Sequence, residues 1–315
     1  MIAIFYRLNG RLVVSQSETE LSKLNRDDVL WIDLLSPSGE EKHTVDEFLG
    51  EEIQSRAQAE EIESSSRYSE TENAIFANTN FLMPGPEDYS MEAVSFTFVD
   101  NCLTTLRDVP LRSFTELQRR IVAKPHLYPN GFTVFVNIMD QRVDLDADMI
   151  ELMSKEIAQY SKRINQQEDI NEDFLLDINQ LQENTMIVRE NIIDKQRLIT
   201  NMIKSDKYPP ELQARFNVIL QDITSLINHA NFSFERLEYL QETVLGLINL
   251  DQNKIMKIFT LVSVLLMPPT LVASFYGMNV SLPFMNKSLT WLGLLLFMLL
   301  LVAVVLYIFR KKKML

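Results

Sequence analysis

Charge disappears from this chain after Lys257. Between Ile258 and Phe309, a stretch of 52 residues, the only charged side chain is Lys287. All 43 acidic residues lie before that point, with 25 of the 30 basic ones, so the first part carries −18 and the remainder +5, for a net of −13. Such a division describes an acidic water-soluble portion followed by a membrane portion, and it excludes a purely soluble protein. Two uncharged runs, Ile258 to Phe275 and Leu289 to Phe309, reach roughly 27 and 31 Å as helices, enough for a bilayer core of about 30 Å. The short loop between them, 276–288, holds Gly277 and Pro283, so the pair reads as a transmembrane hairpin. Lys254 and Lys257 precede it and Arg310 to Lys313 follow it. That bias places both termini, and the acidic portion, in the cytoplasm.

Other classes are excluded by what is missing. Cys102 is the single cysteine, which allows no internal disulfide framework and fits a reducing compartment. His43, His126 and His229 are far apart and make no zinc-site spacing. The N-terminus alternates apolar and polar residues, unlike a signal peptide. An acidic chain offers no basic face to nucleic acid. No Gly-rich phosphate loop and no nucleophile–base constellation points to an enzyme.

The first apolar run is not uniformly apolar. Asn253, Met256, Thr260, Ser263, Met267, Thr270 and Ser274 alternate spacings of three and four, a seam on one helical face. Two readings stay open. Small and hydroxyl residues mediate helix packing in lipid. Alternatively, several copies turn the seam to a shared axis and line a pore. The seam has no carboxylate, so it would hydrogen-bond an ion's water rather than strip it, with the methionines as dewettable constrictions.

Residues 1–143 read as an α/β domain. Asn9-Gly10 between IAIFYRL and RLVVS marks a two-residue hairpin. Further strands are predicted at 29–34, 74–82, 91–99 and 102–107, with a turn at Asp100-Asn101, and helices at 39–49, 53–64 and 111–122. From 144 to 210 the sequence turns helical and acidic, with the acids read as a solvated face. Tyr208-Pro209-Pro210-Glu211 then reads as a helix start. Apolar residues recur at helical spacing from Leu212 to Leu247, with no proline before Pro268. A stalk over 211–257 thus runs into the first span, 258–275. Together they make one helix of roughly 97 Å, a length that implies bundling with other copies.

At the end of the first span stands Tyr276-Gly277-Met278-Asn279. A Gly-Met-Asn triplet after the first of two C-terminal spans, behind an acidic front domain, resembles the CorA family of magnesium transporters. NKIMKIFTLVSVLLMPPTLVASFYGMN resembles that family's pore helix throughout. Trp31-Ile32-Asp33-Leu34 and VSFTFVDNCLTTLRD resemble its front domain.

The resemblance implies a homopentameric funnel in the cell (inner) membrane: the first span lines the pore, the second, 289–309, faces lipid, and the triplet forms the outer mouth in 276–288. It assigns the mouth to Tyr276, Gly277, Met278 and Asn279, with Asn279 ringing a hydrated cation and Gly277 letting the backbone leave the helix. Met256 and Met267 match apolar constrictions. Asn249 and Asn253 fall at the cytoplasmic mouth, and Phe259 could tighten the gate. Regulatory Mg²⁺ would sit between subunits at Glu61, with Glu60 close behind, and at Asp222. Lys311, Lys312 and Lys313, in the tail 310–315, resemble a basic collar. The implied function is Mg²⁺ uptake as a hydrated ion, gated by internal Mg²⁺. Transport of Zn²⁺, Co²⁺ or Ni²⁺ is the alternative within the family, and a membrane-anchored sensor or scaffold the remote one. A mere tether needs no polar seam. The outer loop VSLPFMNKSLTW departs from the family in carrying Lys287 and no acid, which weakens electrostatic gathering of cations.

Overall fold

The computed structural model describes residues 1–54, 67–85, 89–166, 172–278 and 289–312. It divides into two compact units, Met1–Gln241 and Glu242–Leu315. The first is built on a seven-stranded mixed sheet: β1 (Ile2–Leu8), β2 (Arg11–Ser15), β3 (Val29–Leu35), β4 (Tyr68–Glu70), β5 (Ala74–Pro84), β6 (Tyr89–Val99) and β7 (Cys102–Arg107), in the order β2-β1-β3-β7-β6-β5-β4. Among the described residues only β3 and β7 run parallel. That central pair is buried along almost its whole length, as a parallel pair covered on both faces must be.

Local sequence explains the turns. Asn9 and Gly10 take φ of 51° and 75°, the two left-handed positions of a type I′ turn, and Leu8 faces Arg11 across it. Asp100 takes φ of 54° at the second tight turn, where Val99 pairs with Cys102. Helix α1 (Gly39–Leu49) opens on a capping box formed by Ser38 and Glu41, and stops at Gly50 with φ of 68°, the left-handed cap that glycine supplies.

Helices α2 (Arg112–Ala123), α3 (Gly131–Gln166), α4 (Glu172–Lys204) and the part of α5 (Pro210–Tyr276) up to Gln241 complete the soluble unit. On one sheet face α1 lays Val45 and Leu49 on Ile2, Ile4, Ile32 and Leu34. Another core is aromatic: Phe5 stacks on Trp31 at 4.9 Å, Trp31 meets Phe114 of α2 at 5.9 Å, and Phe96 meets Phe135 of α3 edge-on at 4.9 Å. Gly131 is required where α3 docks. A Cβ there would lie 2.5 Å from the Leu103 nitrogen and 2.8 Å from the Asn101 carbonyl oxygen.

Three sequence expectations change. No helix occupies Ile53 and Gln54: Ile53 is buried in the core, its N–H donating to Asp46. The rest of the 53–64 expectation lies outside the described residues. The helix expected from 144 begins at Gly131. Its first turns, with Phe132, Val134, Phe135, Val136, Ile138 and Met139 all buried, present no polar stripe from which helical period could be read. Lastly, the acids of α3 are not all solvated, since Asp146 is fully buried.

Helix α5 starts one residue earlier and ends one later than expected. Within the first unit it buries Leu212, Phe216, Ile219, Ile223, Ala230, Leu237 and Leu240, the spacing of one continuous apolar face. In the second unit, the end of α5 and α6 (Thr290–Lys311) are both long and apolar enough to cross a membrane.

Candidate ion path

The seam positions Asn253, Met256, Thr260, Ser263, Met267, Thr270 and Ser274 all lie exposed on α5, as do Asn249 and Phe259. The half-covered positions Leu261, Leu265, Pro268, Val272 and Tyr276 fall on the opposite side of the helix at 100° per residue. On α6 the half-covered side chains Leu294, Met298, Val302, Val305 and Phe309 repeat at similar spacing. α6 thus lies along one apolar side of α5, and the polar seam stays exposed together with apolar residues such as Ile258, Val262, Leu266 and Leu271. An apolar crevice of about 570 Å³ near the helix ends is lined by Leu271, Ser274 and Phe275 of α5, by Met278 just beyond it, and by Leu294 and Phe297 of α6.

Hydroxyl geometry decides what the seam offers. Thr260 Oγ1 donates to the Met256 carbonyl at 2.8 Å, and Thr270 Oγ1 to the Leu266 carbonyl at 2.7 Å. Each hydroxyl has one hydrogen and two lone pairs, so with the hydrogen committed to the backbone the oxygen is left as an acceptor. Pro268 and Pro269 lie within the same helix. An acceptor lining suits the water shell of a cation, whose hydrogens point outward.

The backbone leaves α5 at Gly277, one residue past the last helical residue, Tyr276. Gly277 takes no left-handed conformation, and its N–H still donates to the Ala273 carbonyl at 2.9 Å. What it avoids is crowding, because a Cβ would stand 3.2 Å from that carbonyl oxygen. Met278 is exposed at the helix end. Asn279 lies outside the described residues, as do Glu60, Glu61 and Lys313. Lys311 ends α6 and Lys312 caps it.

Asp222 is exposed on α5. It adds, with Asp140 and Asp148, to the partial burial that raises the Asp144 carboxyl above the usual range. The structure therefore brings Asp222 into a carboxylate-rich patch of its own chain.

Sequence reasoning missed two buried ion clusters. Asp33 accepts from Arg107 through both oxygens, at 3.2 and 2.8 Å, and from Thr105 and Gln118 at 2.8 Å each. Trp31 Nε1 donates to Thr105 at 3.0 Å, and the Arg107 guanidinium lies 4.5 Å above Phe114. The second cluster joins Arg142 and Asp146 of α3 to Lys195 and Asn191 of α4. An i,i+4 Arg–Asp pair was visible in the sequence, but nothing local told that it is buried.

The family model described as CorA-like Mg²⁺ transporter protein matches residues 26–311. The chain belongs to the CorA family. It is 33% identical over 284 residues to the magnesium transport protein CorA of Wolinella succinogenes, covering 89% of this chain and 88% of that one. To the magnesium transport protein CorA of Escherichia coli it is 30% identical over 317 residues, covering 99% of each. Among solved structures, the complete CorA magnesium transporter of Methanocaldococcus jannaschii superposes with a TM-score of 0.82 at 17% identity, covering 99% of this chain and 98% of that one. Full-length CmaX superposes at 0.72 with 13% identity, covering 99% and 97%. The fold is thus the CorA fold: a mixed-sheet N-terminal domain, long helices and two C-terminal apolar helices. CorA is a family of membrane transporters, and the two apolar helices are its membrane part here.

Proposed function

We propose that this chain conducts Mg²⁺ into the cell as a hydrated ion, through a pore lined by α5 in a homopentamer of the inner membrane. The observation that carries the reading is the seam, which lies exposed opposite the half-covered side of α5 and in which Thr260 and Thr270 leave their hydroxyl oxygens as acceptors. Mg²⁺ gives up its waters reluctantly, so a path that hydrogen-bonds to the shell asks least of the ion. Met256 and Met267 serve as apolar constrictions that dewet to close. Asn279, in a ring of copies at the outer mouth, holds the arriving ion by its side-chain carbonyl. The inside-negative potential supplies about 2.3 kcal/mol per charge per 100 mV, doubled for a divalent ion. Both termini are cytoplasmic, with Lys311, Lys312 and Lys313 as the inner basic collar. Internal Mg²⁺ bridging Glu61, with Glu60 beside it, to Asp222 of the neighbouring copy holds the pore shut.

Flux into liposomes containing the purified protein tests the reading. Mg²⁺ should be carried in preference to Zn²⁺, Co²⁺ and Ni²⁺, and Asn279→Ala should abolish most flux while the oligomer stays assembled. Preferential flux of Zn²⁺, Co²⁺ or Ni²⁺ would replace Mg²⁺ as the cargo. Wild-type flux through Asn279→Ala would remove the ring from the mechanism.

A further inference from the structure

Lys195 is fully buried where α3, α4 and β5 meet. Its Nζ lies 2.9 Å from Asp146 Oδ2 as an ion contact and also donates to Asn191 Oδ1. The same carboxylate already serves Arg142, whose Nε donates to Asp146 Oδ1 at 2.9 Å and whose Nη2 bonds the same oxygen. Arg142 and Asp146 are themselves buried. Two buried cations therefore share one buried carboxylate. The strand contributes no charge: Asn191 Nδ2 donates to the Asn80 carbonyl at 2.8 Å, and Phe81 lies beneath the Arg142 guanidinium at 5.4 Å. On α4 itself Asp194 adds a weaker attraction, but it is committed to Arg67 at 3.2 Å.

We propose that Lys195 is a proton-sensitive latch in the soluble unit: loss of its proton tightens the α3–α4–β5 junction, and proton uptake loosens it. Two features of the geometry give the direction. The charged form sets an ammonium, shut off from the surface, beside Arg142 with half a carboxylate each, and burying a charge so poorly matched is costly. The neutral amine still donates to Asn191, Asp146 Oδ1 keeps both hydrogen bonds from Arg142, and Oδ2, which accepts no other hydrogen bond among the described residues, stays 2.9 Å from an amine that can still donate to it. Burial and then Arg142 outweigh the attraction of Asp146 and bring the Lys195 ammonium down from 10.5 to about 8. Since the exposed lysine of an opened junction holds its proton up to about 10.4, the open form binds more protons between these values. Opening is then disfavoured as pH rises, by about tenfold between roughly pH 7 and 9.

The test is hydrogen exchange on the full-length protein in detergent, corrected for intrinsic exchange rates, at pH 7 and 9. Amides of 139–146 and 188–199 should gain about tenfold protection at the higher pH. Lys195→Met, apolar at every pH, should hold the protected state at both. Lys195→Arg, charged at every pH, should hold the loose state at both. Protection that does not change with pH in the wild type overturns the proposal. So does an unchanged pH step in either variant, because the step would then belong to another group.

Discussion

Asp33 and Arg107 show how much one buried pair can carry. Each is nearly inaccessible, and every oxygen of the carboxylate is occupied. Removing one partner strands the other charge, at a cost of about 3 to 5 kcal/mol, whereas replacing both with apolar residues is often neutral. Arg107→Ala should therefore sharply lower the thermal midpoint of the soluble unit, and Asp33→Leu with Arg107→Leu should recover most of it. Gly131→Ala should cost about 1 to 3 kcal/mol by overpacking, since its Cβ meets backbone at 2.5 Å rather than a side chain that can turn aside. Differential scanning of each variant checks both. Neither site could be found from sequence alone. Trp31-Ile32-Asp33-Leu34 and the β6–β7 segment were recognisable by resemblance, but the pairing joins residues 74 positions apart, and only strand register brings them together. Asp146 was misread for a similar reason. Its neighbours in sequence are acids, and solvation is their common fate, but α4 folds over this one.

Elements with strong local chemistry were legible, and those defined by packing were not. The Asn9-Gly10 hairpin and the Asp100-Asn101 turn each require a specific conformation that a few residues announce. Helix α5 announced itself by an apolar period that its buried face now explains. The first turns of α3 are buried on most sides, so their sequence carries no period. On the proposed mechanism the seam is the element on which function turns, and cysteine scanning separates its two readings. With Cys102 removed, cysteines at 260, 263, 267, 270 and 274 should react with a small water-soluble thiol reagent and block flux. Cysteines at 261, 265 and 272, on the half-covered side of α5, should do neither. Equal labelling of the two sets would assign the seam to helix packing rather than to water. Ser274 is the informative position, because it borders the apolar crevice as well as the seam.

For the whole molecule, the deciding quantity is the surplus of 18 negative charges before Ile258. Copies gathered around one axis bring those charges together, and like charges at close quarters repel. On the proposed mechanism Mg²⁺ relieves this by bridging Glu61 of one subunit to Asp222 of the next. The surroundings of Asp222 fit an electrostatic site: together with Asp140 and Asp148 it adds to the partial burial that raises Asp144. Because Mg²⁺ keeps several waters, each bridge is weak, and five acting together supply the coupling. Glu61→Ala with Asp222→Ala should leave flux intact but raise the internal Mg²⁺ needed to stop it. Limited proteolysis reads the same coupling without flux. Mg²⁺ should slow cleavage of the wild-type soluble unit more than that of the double variant, and added salt should narrow the difference by screening the repulsion that Mg²⁺ relieves. Identical protection curves for the two proteins would move the sensor away from Glu61 and Asp222, toward the acids of 144–183.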